Sequence, residues 1–172
     1  MLTPVQAATL KADINANPIL AAMANNPDTA TAIAAQYNQT ASPDFWVWRS
    51  RVTKSEMVNA TTSEGTVFAW TGAGFITRSQ GERDAFRELF SASDDSVNPS
   101  LPQVRQAFLD IFSGTGAAAS NRAHLAVVSR RKATAAEKLY AVNGAGTTGN
   151  PSTMGWEGML TFSDVMDARS LP

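Results

Sequence analysis

Ser100-Leu101-Pro102-Gln103-Val104-Arg105-Gln106-Ala107-Phe108-Leu109-Asp110-Ile111-Phe112 reads as one amphipathic helix with its start signal attached. Ser100 and Gln103 have the spacing of a capping box, and Pro102 falls in the first turn, where a missing N–H costs nothing. Val104, Ala107, Phe108, Ile111 and Phe112 recur at intervals of three and four, so they share a face, and Gly114 stands near the C-cap. A period near 3.6 rather than 2 decides the class of the fold, which is expected to be mainly α.

The same grammar extends outward in both directions. Upstream, Ser79-x-x-Glu82 opens a segment with Phe86, Leu89 and Phe90 on one face, and Asp94-Asp95 with Asn98-Pro99 marks the turn that follows. Downstream, Ser120 or Asn121 can cap a helix holding Leu125 and Val128. Thr134-x-x-Glu137 caps one holding Leu139 and Tyr140, and Gly144 can stop it. At the start of the chain, Thr3-Pro4 begins a helix with Val5, Leu10 and Ile14, which Asn17-Pro18 ends. A short piece with Ile19, Leu20 and Met23 follows, then Asn25-Asn26-Pro27-Asp28, then an alanine-rich helix over 29–38 with Ile33 and Tyr37 four apart.

Two stretches break the helical pattern. Ser42-Pro43-Asp44 is a helix-start signal before Phe45-Trp46-Val47-Trp48-Arg49, although the alternation of Trp46 and Trp48 also suits a strand. A capping box at Thr53-x-x-Glu56 then predicts a helix to about Ala60. Thr66 to Trp70 is strand-like and Thr71-Gly72-Ala73-Gly74 is a loop, so a hairpin or ordered excursion is expected near 61–76. Beyond Gly144 a glycine and threonine linker leads to Met154–Phe162, expected as an extended arm, with a last helical turn over Val165–Ala168. The expected organisation is a charge-poor helical segment over 1–43, packing on the core or on a neighbour, a helical core over 44–143, and an extended C-terminal arm over 144–172. Only Lys11, Asp13 and Asp28 are charged before residue 44, and a helical segment so poor in charge is expected to lie against something.

Composition excludes several classes. The chain has 172 residues, a net charge of −1, one histidine and no cysteine. Without cysteine there is no disulfide framework or thiol catalysis, and His124 alone cannot build a multi-histidine metal site. Bulk charge does not favour duplex DNA, the longest apolar run is far short of the ~20 residues of a membrane span, and no signal peptide opens the chain. Of the 44% hydrophobic residues, 29 positions are alanine, which favours helix but buries little area.

Each site-like pattern has a structural explanation. Gly144-x-Gly146-x-x-Gly149 matches the dinucleotide fingerprint, but a helix precedes it and Asn150-Pro151 follows, so a linker is expected. His124 lacks a carboxylate and nucleophile nearby in sequence and is expected as a surface or half-buried structural residue. Asp94-Asp95 and Asp164…Asp167 suit turns and caps. Arg130-Arg131-Lys132, with Arg122 nearby, can meet phosphates, a helix C-terminus or a neighbouring subunit. Phe45, Trp46, Trp48, Arg49 and Arg51 can stack on single-stranded nucleic acid or form a protein–protein anchor with arginines at its rim, and the low overall positive charge favours the anchor. The candidate interface residues are Phe45, Trp46, Trp48, Arg49, Arg130, Arg131, Lys132, Trp156 and Phe162. No catalytic residue, cofactor, metal or small-molecule substrate is expected.

Five phrases resemble a known family: 41–50 (Ala41-Ser42-Pro43-Asp44-Phe45-Trp46-Val47-Trp48-Arg49-Ser50); 98–108, from Asn98-Pro99-Ser100 to Ala107-Phe108; Asp110-Ile111-Phe112-Ser113-Gly114-Thr115-Gly116; Arg131-Lys132-Ala133-Thr134 with Ala136-Glu137-Lys138-Leu139; and Pro151-Ser152-Thr153-Met154-Gly155-Trp156-Glu157-Gly158. Together they resemble small virion structural proteins of tailed bacteriophages and prophages. The resemblance spans nearly the whole chain and brings no catalytic residues with it. It implies a virion component, assembled in the bacterial host cytoplasm. A neck connector forming a homo-oligomeric ring between portal and tail suits the size and helical content, with no sequence-specific nucleic acid and no membrane as partners. The alternatives are a tail-tube, baseplate or capsid-decorating role, or a cytosolic single-strand-binding or regulatory module.

Overall fold

The computed structural model describes residues 1–91 and 94–172. In chain order the elements are α1 (Pro4–Ala16), α2 (Pro18–Ala21), α3 (Pro27–Tyr37), β1 (Trp46–Trp48), β2 (Val52–Thr53), α4 (Lys54–Asn59), a 3-10 turn (Gly72–Gly74), α5 (Gln80–Ser91), β3 (Ser96–Val97), α6 (Pro102–Ile111), α7 (Ala117–Val128), β4 (Arg130–Lys132), α8 (Ala135–Leu139), β5 (Ala141–Val142), β6 (Thr153–Met154) and α9 (Phe162–Ser170). The protein is mainly α, and its strands are two or three residues long. Among the described residues no helix is long and apolar enough to cross a membrane.

The chain groups into two compact units, Met1–Val47 with Lys132–Pro172, and Trp48–Arg131. This differs from the arm–core–arm organisation expected from sequence. The N-terminal helices and the C-terminal segment share one core instead of extending from a central domain.

In the first unit, α3 and α1 pack against α9. Leu10, Ile14, Ile33, Leu160 and Val165 are buried there among the alanines Ala7, Ala30, Ala34, Ala136 and Ala168. Alanine at the contact lets helix backbones approach closely, so the residue that seemed poor core material forms the helix–helix seams. Thr3 caps α1 as expected, in a reciprocal box with Gln6, whereas α3 starts two residues earlier than expected, at Pro27, with Asn26 as its cap. Thr161 and Asp164 cap α9, so that helix starts one turn earlier than expected and carries core residues. The arm expected over 144–172 is therefore a packed segment, because Leu160, Val165 and Ala168 have a helical face to fill. β5 pairs antiparallel with β6, Ala141 opposite Met154.

The glycine stretch after β5 is likewise built into this unit. The Trp46 N–H donates to the Gly146 carbonyl (2.8 Å) and the Ser152 N–H to the Trp46 carbonyl (2.9 Å). Gly146 has φ +69°, and a Cβ there would overlap the Phe45 ring. A glycine is needed both for the left-handed backbone and for the close approach, so the flexible linker expected here is a fitted loop.

The second unit holds six of the eight phenylalanines. Phe68, Phe75, Phe86, Phe90, Phe108 and Phe112 are buried with Val52, Met57, Val97, Ile111 and Leu125. Phe86 lies at the centre, with ring centroids 5.3–5.7 Å from Phe68, Phe75, Phe90 and Phe112. Phe68 stacks on Phe86 and the other three rings meet it edge-to-face, geometries that add to the area the rings bury. β2 pairs with β3, Val52 opposite Val97.

Several local expectations are corrected in this unit. Residues 61–76 form no strand. Asn121, expected as a helix cap, is buried inside α7, where its side-chain amide binds the Ala69 N–H (2.7 Å), the Ala69 carbonyl (3.2 Å) and the Gly74 carbonyl (2.9 Å). These bonds satisfy the backbone that a hairpin partner would have served. α7 starts after Gly116. At α6 the expected Ser100–Gln103 box is absent, because Asn98 Oδ1 accepts from the Ser100 N–H (3.0 Å) and hydroxyl (2.6 Å); the helix starts at Pro102. The Ser79–Glu82 and Thr53–Glu56 boxes form as read.

Candidate functional site

Most of the predicted interface residues lie in or beside β1 and β4. At β1 the strand suggested by the alternation of Trp46 and Trp48 forms in place of a helix start, and Arg130–Lys132 is a strand following α7. The structure distributes the predicted interface residues between the two units. In the first, Lys132 pairs with Asp44 (2.7 Å) and its Nζ lies 5.9 Å from the Trp46 ring centre. Lys138 Nζ lies 5.8 Å from the centre of Phe45. Trp156 is half-buried, edge-on to Tyr140 at 5.5 Å. Phe162 is 49% exposed and Met159 71% exposed, and both line an apolar groove with Ala34 and Ala35 of α3.

In the second unit, Arg49 pairs with Glu56 and Arg130 with Glu64. Arg49 and the Thr53 N–H together hold the Glu56 carboxyl down at about 2. Arg131 is half-buried. The cations that could have formed a phosphate-binding stripe thus meet carboxylates at Arg49, Arg130 and Lys132, which lowers the field they offer to a polyanion.

Trp48 leads to a concavity between α6 and α7. The Arg105 guanidinium lies 4.6 Å over the Trp48 ring and donates through Nη1 to the carbonyls of Pro99 (2.6 Å) and Ser100 (2.8 Å). Burial lowers the Arg105 pKa. Trp48 and Arg105, with Phe108 and Leu109 of α6 and Arg122, Ala126 and Ser129 of α7 and its end, line a pocket of 230 Å³. Arg122 donates through Nη1 to the Phe112 carbonyl. Among the described residues neither Arg105 nor Arg122 pairs with a carboxylate. Ser129 is 1% exposed and its hydroxyl meets no hydrogen-bond partner. Sequence pointed to Trp48 and to Arg122, but not to Arg105, Phe108, Leu109, Ala126 or Ser129. The available signal was Arg105 and Leu109 four apart on α6, an arginine and a half-exposed leucine on the rim of the apolar face.

The remaining chemical candidates are occupied structurally. His124 is fully buried rather than surface or half-buried. Its Nε2 faces the Met57 carbonyl at 2.8 Å and its Nδ1 the Thr66 hydroxyl at 3.2 Å. A carbonyl only accepts, so Nε2 carries a proton and donates to Met57. Asp164 caps α9 and accepts from the Leu2 N–H (3.2 Å). Burial pushes its carboxyl up, but the Thr161 and Leu2 hydrogen bonds outweigh it and leave the pKa lowered. Tyr37 donates to Asp13, and burial followed by that bond raises the phenol pKa. Among the described residues no group of three histidines, cysteines or acids could hold a metal ion. No protein-family model, curated protein or solved structure matches the chain.

Proposed function

We propose that this chain is a structural subunit of a tailed-bacteriophage particle, a neck connector that forms a homo-oligomeric ring between portal and tail. It would assemble in the host cytoplasm and remain in the virion, acting through contact and not catalysis.

The support for this reading is the resemblance of five phrases of the chain to small phage virion proteins. Two of those phrases, 41–50 and 98–108, contribute Trp48, Arg105 and Phe108 to one pocket. Tryptophan and arginine are residue types enriched at protein–protein hot spots. Mainly helical structure supports a connector over a tail tube, whose subunits are expected to be β-rich. The exposed Met159 and Phe162 add apolar surface for a neighbour to cover.

Mass spectrometry of purified particles tests the proposal. The chain is expected in mature virions at a copy number set by a closed ring, and its absence from them would end the reading.

A further inference from the structure

The pocket beside Trp48 offers a more specific prediction about what docks there. Its walls are Trp48, Phe108, Leu109 and Ala126, and its volume is 230 Å³. A dry cavity of about 150 Å³ accepts a benzene ring. The pocket therefore suits one ring or one branched aliphatic side chain with a short polar extension. It is too small for an extended ligand.

Its polar groups define that extension. Arg105 spends Nη1 on two backbone carbonyls and Arg122 spends Nη1 on one, and among the described residues no hydrogen bond occupies their Nη2 and Nε groups. Arg105 is fixed in place by the Trp48 ring beneath it. A planar, anchored guanidinium with spare N–H groups is matched to a carboxylate, which can accept two parallel bonds. Ser129, 1% exposed, adds to the lining where α7 ends.

We infer that this pocket is a socket for a neighbouring polypeptide that presents an aromatic or branched apolar side chain next to an aspartate or glutamate. The ring enters against Trp48, Phe108 and Ala126, and the carboxylate meets Arg122 and Arg105. Choosing a polypeptide over a free aromatic acid rests on the connector reading; the ligand chemistry itself rests on the pocket.

The test is a titration of the full chain followed by amide and indole NMR signals. The probes are acetyl-Gly-Asp-Phe-Gly-amide, the same peptide with Asn for Asp, the same with Ala for Phe, and phenylacetate. The Asp-Phe peptide should shift the Trp48 indole and Ser129 amide signals saturably, and both altered peptides should bind about tenfold more weakly or worse. Arg122→Gln should erase the preference for Asp over Asn. Ala126→Phe, which fills the pocket, should abolish binding while leaving the thermal transition in place. Equal binding of the peptides, no saturable shift, or an unchanged preference in Arg122→Gln would overturn the socket. Tighter binding of phenylacetate than of the peptide would overturn the polypeptide assignment. A negative titration with the chain present in particles removes only the socket. A positive one with the chain absent from particles removes only the connector.

Discussion

Asn38 and Leu160 exchange two hydrogen bonds: Asn38 Nδ2 donates to the Leu160 carbonyl (2.9 Å), and the Leu160 N–H donates to Asn38 Oδ1 (2.8 Å). The side-chain amide at the end of α3 thereby treats residue 160 as an adjacent strand would, just before α9 packs back on α3 and α1. Asn38→Ala leaves both backbone groups of a buried residue without that partner and should cost about 1–3 kcal/mol. Urea unfolding monitored by Trp156 fluorescence measures it, and an unchanged midpoint would show the pair to be dispensable.

Truncation after residue 143 follows from the same packing. It removes Leu160, Val165 and Ala168 from the first core, so that unit should lose its cooperative transition. Calorimetry distinguishes this from a detachable arm, whose loss would leave the transition intact.

Asn121→Ala removes three hydrogen bonds from the backbone of Ala69 and Gly74. A loss of about 2–4 kcal/mol in the second unit is expected, with a changed Trp70 signal because that residue follows Ala69 directly. A loss below about 0.5 kcal/mol would mean the loop is held by Phe68 and Phe75 alone.

Gly146→Ala should destabilise the first unit by about 1 kcal/mol or more, since φ +69° and the Phe45 ring both oppose a side chain. Gly149→Ala, with open space around its Cβ position, is the control and should stay within about 0.5 kcal/mol of the parent. Similar melting temperatures for the two variants would contradict the fitted-loop description.

Acid should weaken the second unit through Glu56. Its folded value of about 2 lies below its ordinary 4.5, so its contribution is fully present above the ordinary value and is lost as pH falls through the folded one. The Glu56 side chain is 42% exposed, so solvent screening keeps the contribution within about 1 kcal/mol. The stability difference between the parent chain and Glu56→Gln should therefore shrink between about pH 4.5 and pH 2. A pH-independent difference would contradict the ion pair.

What could be read in the sequence was local. The boxes at Thr53, Ser79 and Thr134 join residues three apart, so spacing alone specifies them. Ser100 failed the same rule because Asn98, two residues back, captured its hydroxyl. The assignments that failed depended on distance along the chain. Asn38 reaches a residue 122 positions away, Asn121 one 52 away, and the glycine loop owes its shape to Phe45. Trp48 was identified as an anchor from its residue type, but its partner Arg105 lies 57 positions away on a helix that the spacing assigned to the core. Periodicity identifies a buried face and does not say which rim residue will border a pocket.

The connector reading is tested most directly by a cryo-EM map of the phage particle carrying this chain. The expected map shows density fitting each of the two helical units in a closed ring between portal and tail, with a neighbour's side chain against Trp48 and Arg105. A well-resolved neck built entirely from other chains would contradict it.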